Sequence, residues 1–307
     1  MRIGIHTASS GNAPNAIVEL IGAAQGAADA GLAAFWLPQL FDVDALTALA
    51  VIGREVSGIE LGTAVVPTYP RHPLVLAGQA LTAQAACGNR LTLGIGLSHQ
   101  VVIEGMFGYS FDKPARHMRE YLSILGPLIR GEQVSFHGKM LKAATMAPMS
   151  VAGAEPCPIL VAALAPVMLK LAGQLADGTV TWMVGPKTLA NHVAPTITAS
   201  AAAVGRPAPR VVVGIPVCVT NEPDQAREQA AKTFVIYGQL PSYRAMLDKE
   251  GAEGPADVAV VGDEEAVAAQ LAEFGDAGAT EMAAAIFGSS EERRRTLALL
   301  SDLTAAS

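Results

Sequence analysis

Charge is scarce in this chain. Only 16% of its 307 residues are Asp, Glu, Lys or Arg, and the formal net charge is -7. A nucleic-acid surface needs clustered Lys and Arg against the phosphates, so that class of partner is not expected. The one dense run, Glu291-Glu292-Arg293-Arg294-Arg295, mixes both signs and reads as a solvated helix face. Cysteine is equally sparse. Cys87, Cys157 and Cys218 are odd in number and show no C-x-x-C spacing, which argues for buried thiols in a reducing compartment and against a disulfide framework or a zinc site. Long apolar runs are missing too. The longest, Cys157 to Leu169, is too short to span a bilayer and contains Pro158 and Pro166. The opening strand pattern is broken by His6, Asn12 and Glu19, so no secretory leader is expected. The expectation is a soluble, cytoplasmic protein without a membrane partner.

What the chain does have is apolar bulk. Hydrophobic residues make up 51% of it, enough for a large core under Ala-rich helices. The length exceeds a typical single domain, yet an α/β barrel absorbs it as one unit. Three junctions share one grammar: "AADAGLAAFWL" from Ala27, "GQLADGTVTWMV" from Gly173 and "FGDAGATEMAAAI" from Phe274. Each is an Ala-rich helix end, an acidic residue, a Gly and an apolar run. The Gly suits the left-handed position just past a helix, and the run suits a buried parallel strand. Repetition of that unit is the signature of stacked βα units.

Collecting such runs predicts about eight strands: 2–7, 34–38, 60–66, 91–96, 159–163, 179–183, 211–219 and 281–286. Helical patterns fill most gaps, over 15–30, 44–57, 73–87, 166–176 and 291–303. Two gaps are too long for one helix. The stretch 97–158 holds a helix over about 114–130 and a hairpin, "VSFHGKMLK", turning at His137-Gly138. The stretch 220–280 holds about three helices, the last capped by Asp263. Eight βα units favour a (β/α)8 TIM barrel with insertions after strands 4 and 7 over a doubly wound sheet. In a barrel the loops following the strands form the active face.

The residues at those strand ends are weakly polar. They include His6, Pro38-Gln39-Leu40, Ala64-Val65, the run Gly94 to Gln100, Ala162 to Pro166, and Trp182-Met183. No carboxylate pair, G-x-S-x-G elbow or cluster with metal-ligand spacing is present, and no metal is expected. Apolar walls, backbone amides and isolated His, Gln, Ser and Trp suit a site where an organic cofactor carries the chemistry. Gly94-Ile95-Gly96 lacks the third Gly of a dinucleotide loop, and close packing inside a barrel strand is the favoured reading. In "AALAPVMLK" a strand gives way to a helix with Pro166 in its first turn. Free amides around 164–168 would suit a phosphate, or form an ordinary βα junction. His6 reads equally as a core histidine or a ligand-facing one. His99, beside Ser98, has the stronger functional claim. Trp182 is either rim filler or a wall for a planar ring. Arg71-His72 reads as a loop anchor, His117 and His137 as surface residues, and Met140, Met146 and Met149 as packing.

At these residues the chain resembles the luciferase-like family of flavin and deazaflavin enzymes. The resemblance covers nearly the whole length, as a single domain over 1–307. It is carried by "LGTAVVPTYPRHPLVLAGQALTAQAACGNRLTLGIGLS" (Leu61 to Ser98), by the hairpin, and by "VGDEEAVAAQLAEFGDAGATE". The resemblance implies a (β/α)8 barrel, usually a homodimer, with a non-proline cis peptide after strand three, here Ala64–Val65, beneath the cofactor ring. "TYPRHP" and "GIGLS" are most similar to the branch using coenzyme F420, with an FMN-dependent two-component monooxygenase as the alternative and a non-catalytic ligand-binding barrel as a third class. FMN relatives often place an Arg just after strand four, where this chain has Leu97-Ser98-His99. Dehydrogenases of the F420 branch carry Asp-His after strand two, where this chain has Gln39-Leu40, so sugar-phosphate oxidation is not expected.

The implied function is hydride transfer between the deazaflavin and a small, largely apolar organic substrate. His99 and His6 would be the catalytic candidates. Gln39, Ala64, Val65, Ser98, Ala162, Ala163, Leu164 and Ala165 would hold the cofactor. Trp182 and Met183 would face the substrate.

Overall fold

The structure is a computed structural model and describes residues 1–306. Eight parallel strands form its centre: β1 (Arg2–His6), β2 (Ala34–Leu37), β3 (Glu60–Thr63), β4 (Leu91–Gly96), β5 (Ile159–Ala162), β6 (Gly178–Trp182), β7 (Arg210–Val219) and β8 (Glu281–Ile286). Each pairs with the next, and β8 pairs with β1, so the sheet closes into a barrel. Helices α1 (Ala16–Asp29), α2 (Ala45–Glu55), α3 (Pro73–Ala86), α4 (Pro114–Ile129), α5 (Pro166–Leu175), α6 (Ala194–Ala202), α7 (Glu264–Asp276) and α8 (Ser290–Ala305) follow the strands in turn. The expected insertions are both present. After β4 come a short helix (Gln100–Gly105) and, beyond α4, a hairpin of Ser135–His137 with Lys142–Ala144. After β7 come helices Pro223–Thr233, Val235–Gln239, Pro241–Glu250 and Pro255–Val258.

The helix starts are set locally. Asn15 Oδ1 accepts from the amides of Ile17 and Val18, Asp44 from Thr47 and Asp263 from Ala266. Such caps each stabilise a helix by about 1 kcal/mol. Gly31 and Gly278 adopt the left-handed conformation expected past a helix end. Gly178 does not. It begins β6, and a side chain there would collide with the carbonyl of Arg210, so close strand packing is what requires glycine.

Alternation along the strands divides the barrel into two faces. Phe35, Leu37, Leu61, Leu93, Ile95, Val161, Val213 and Met282 are buried among the helices. The interior is a separate, smaller core of Ala34, Trp36, Leu160, Val180, Val212 and Ala283. Trp36 is fully buried there, and a methyl on Gly62 would overlap its ring. Below it, at the strands' N-terminal ends, the interior becomes ionic. Trp36 Nε1 donates to Glu281 (2.7 Å), and Arg210 bridges Glu281 and Glu60 at 2.9 Å each while donating to Thr92 (3.0 Å). Arg2 pairs with Glu60 (2.7 Å) and with Glu281 (3.4 Å). Burial pushes the Glu60 carboxyl up, but Arg210, Thr92 and Arg2 more than offset this and hold it below its ordinary value.

Two strands differ from expectation. The run 60–66 is broken: β3 stops at Thr63, and Val66–Pro67 resumes pairing only with Ile95 and Gly96 of β4. A ninth parallel strand, Val260–Gly262, pairs with Val217–Val219 of β7, continuing the edge that β6 leaves at Gly214. Among the described residues no helix is long and apolar enough to cross a membrane, and all three cysteines are free and buried.

Candidate active site

The strand break lies at the barrel mouth. The Ala64–Val65 peptide is cis, at the position the family resemblance implied. Thr63 spans the interruption: its hydroxyl donates to the Gly94 carbonyl (2.7 Å) and accepts from the Gly94 amide (2.9 Å). Glycines on β4 make room for the bulge. A methyl on Gly94 would run into the Thr63 carbonyl, and one on Gly96 would stand 2.6 Å from Val65 Cγ2. Gly94-Ile95-Gly96 is therefore a packing device and no nucleotide loop.

His6 ends β1 and faces the Ala64 carbonyl. Its ring stacks on Trp182, at the end of β6, with centroids 5.0 Å apart and planes 27° apart. Burial lowers the His6 pKa to about 4 despite the carbonyl, so the ring is neutral at pH 7. From Trp182 the rings continue into the insertion after β7. Phe234 and Tyr237 meet Trp182 edge-on at 6.1 and 5.6 Å, Tyr243 meets Tyr237 at 5.2 Å, and His99 tilts against Tyr243 at 5.6 Å. Burial also lowers the His99 pKa and raises that of Tyr243. His6 and His99 thus stand at the two ends of one aromatic arc.

Beside this arc, α5 begins at Ala165 with Pro166 in its first turn and no side chain capping it. Ala165 and Val167 are exposed, and Leu164 is held by His192, whose Nε2 lies 2.7 Å from its carbonyl. Uncapped amides at a helix start form an anion cradle. After the neighbouring strand β4, Ser98 follows with a left-handed backbone, and His99 begins the short helix Gln100–Gly105.

Several residues singled out in the sequence sit elsewhere or are engaged. Ala162 faces the interior, 3.2 Å from where a Gly96 side chain would be, whereas Ala163 is buried among the helices and can offer only its backbone. Met183 is fully buried in that same outer core with a left-handed backbone, so it packs and does not line the mouth. The Gln39 amide is engaged by its own loop: Oε1 accepts from Ala45 N (2.8 Å) and Nε2 donates to Val43 O (3.2 Å). Arg71 pairs with Asp44, and His72 Nδ1 accepts from Leu74 N (3.3 Å). His137 and Met146 are exposed.

His117 is no surface residue. It is 5% exposed, stacks flat on Tyr69 (4.0 Å, 2°), and its Nε2 lies 3.0 Å from Thr68 Oγ1. The flanking arginines suggested a solvated face, but positions 117, 118, 121, 122 and 125 form the helix's buried stripe. The sequence reading also passed over Phe234, Tyr237 and Tyr243. Aromatics are only 5% of the chain, so three of them between positions 234 and 243 is a local concentration that could have pointed to the site.

The model of the luciferase-like monooxygenase family matches residues 1–281. A 5,10-methylenetetrahydromethanopterin reductase of Methanolobus tindarius is 29% identical over 220 residues, 71% of this chain and 66% of that one. The solved coenzyme F420-dependent tetrahydromethanopterin reductase of Methanopyrus kandleri superposes with a TM-score of 0.82 at 21% identity, covering 99% and 98% of the two chains. A type II Baeyer-Villiger monooxygenase of Pseudomonas putida, solved with FMN, superposes with a TM-score of 0.78 at 16% identity, covering 100% and 98%. The family match over most of the length, on a closed barrel of this topology, identifies the chain as a member of the luciferase-like monooxygenase family of oxidoreductases.

Proposed function

We propose that this chain is a coenzyme F420-dependent oxidoreductase acting on a small, largely apolar organic substrate. The observation that carries this reading is the anion cradle without a cation. The start of α5 lacks a capping side chain, and the residues after β4 are Leu97, Ser98 and His99. FMN ends in a phosphate monoester carrying about two charges near neutral pH, which favours a fixed guanidinium. The F420 phosphodiester carries one charge, a load suited to helix amides and a hydroxyl. Ala162, Leu164, Ala165 and Ser98 would hold that phosphate, and the Ala64–Val65 bulge would support the ring.

When bound, F420 supplies a carbon that gives or takes a hydride. The protein supplies position and dryness. His99 and His6, both neutral at pH 7, can accept or relay a proton beside the arc, and His99 is the candidate on the more open side. The assembly we propose is a homodimer, with Leu40, Phe41, Val51 and Val75, all exposed around α2 and α3, on its shared face. A monomer in sedimentation at micromolar concentration would overturn that part.

The cofactor is tested by titrating the purified protein separately with F420 and with FMN, following cofactor fluorescence. Binding of F420 alone at micromolar concentration or tighter is the expected result. Preference for FMN would replace this reading with an oxygen-consuming monooxygenase. Binding of neither would leave a ligand-binding barrel.

A further inference from the structure

Among the described residues, two buried side-chain polar atoms lack a hydrogen-bond partner, and one of them is Trp182 Nε1 in the middle of the aromatic arc. Buried donors in folded proteins are satisfied as a rule, so an orphan at a barrel mouth points to a ligand. Its neighbour sharpens the inference. Tyr237 meets the indole ring edge-on at 5.6 Å, and its hydroxyl stands near Nε1 but outside hydrogen-bond distance of it. The Tyr237 hydroxyl rotates freely enough to donate in the same direction. The indole N–H is thus without an acceptor within hydrogen-bond distance, and the neighbouring hydroxyl is placed to donate to the same incoming atom.

The surroundings restrict what that acceptor belongs to. His6, Phe234, Tyr243 and His99 complete the wall, and no Asp, Glu, Lys or Arg acts on the titration of His6, His99, Tyr237 or Tyr243. A carboxylate entering here would lose its hydration without gaining a counter-charge. A flat ring would gain contact with Trp182 and its edge-on neighbours.

We infer that Trp182 Nε1 and Tyr237 Oη form a two-donor pocket for the carbonyl oxygen of an uncharged, planar ketone or amide. This names the substrate class of the proposed oxidoreductase and rests on reading the arc as its substrate wall. The pocket selects by hydrogen bond and by ring contact, and it rejects anions.

Calorimetric titration with acetophenone, ethylbenzene and benzoate tests it, on the protein alone and again with saturating F420. One good hydrogen-bond acceptor is worth about tenfold in affinity, so acetophenone should bind about tenfold tighter than ethylbenzene, and benzoate weakest. Trp182→Phe and Tyr237→Phe keep the rings and remove one donor each. Each should cut the ketone preference about threefold or more while leaving ethylbenzene affinity unchanged, with thermal unfolding confirming an intact fold. An unchanged preference in both variants, or benzoate binding as well as acetophenone, overturns the pocket even where F420 binds. A ketone preference lost in the variants of a protein that ignores F420 upholds the pocket and removes only the cofactor.

Discussion

Burial keeps two histidines neutral. His117 is lowered to about 4 by burial, against a smaller opposing pull from Glu120, and His6 is lowered to about 4 likewise. Above pH 6.5 both are neutral in the folded and unfolded chain and their contribution is fully present. Between pH 6.5 and 4 the unfolded chain binds the protons that the folded chain refuses, so stability falls as pH falls. For His117 the slope approaches about 1.4 kcal/mol per pH unit. Urea unfolding at pH 7 and pH 5 should show the loss, and His117→Gln should flatten it; a variant with the wild-type slope would clear His117. His99→Ala is expected to lower turnover with little change in F420 affinity, and a fully active variant would remove it from the chemistry. At this scale the sequence was a partial guide. His6 and Trp182 could be placed at the mouth because a strand end is legible. That Gln39 turns back on its own loop and Met183 faces outward follows from loop geometry and pleat, which a run of letters does not state.

The uncapped start of α5 lets stability and binding be pulled in opposite directions. Ala165→Asp would place a carboxylate at the N-cap, which favours a helix by about 1 kcal/mol, while repelling any phosphate held there. The expected outcome is an unchanged or raised melting temperature together with lost F420 binding, and retained affinity would sink the anion cradle. On β4, Gly94→Ala drives a methyl into the Thr63 carbonyl and should cost about 1–3 kcal/mol in denaturant titration. Most elements were readable because helix, Gly and apolar run repeat, and because Asn15, Asp44 and Asp263 announce helix starts. The strand Val260–Gly262 was not, since three residues carry too little alternation to register. The break in the run 60–66 was invisible to periodicity and came only through the family resemblance.

Across the whole molecule, the barrel floor is held by charges whose meeting depends on closure. Arg2, Glu60, Arg210 and Glu281 lie far apart in sequence and converge only when β8 closes on β1. Nothing local marks them as partners, so this network was beyond reach without the fold. Arg210→Met should leave the buried Glu281 with a weaker counter-charge and destabilise by about 3 kcal/mol, read as a drop in urea midpoint; a variant as stable as wild type would mean that Arg2 suffices. The floor and the mouth are thus built separately, with Trp36 between them. The ninth strand has a consequence of its own. The insertion that supplies Phe234, Tyr237 and Tyr243 leaves β7 at Val219 and returns through Val260–Gly262 onto the flank of that same strand. Both of its ends are therefore fastened to one strand, and the pairing of the other seven strands runs on without it. The three insertion aromatics thus reach the mouth from a segment that enters and leaves the barrel at a single strand.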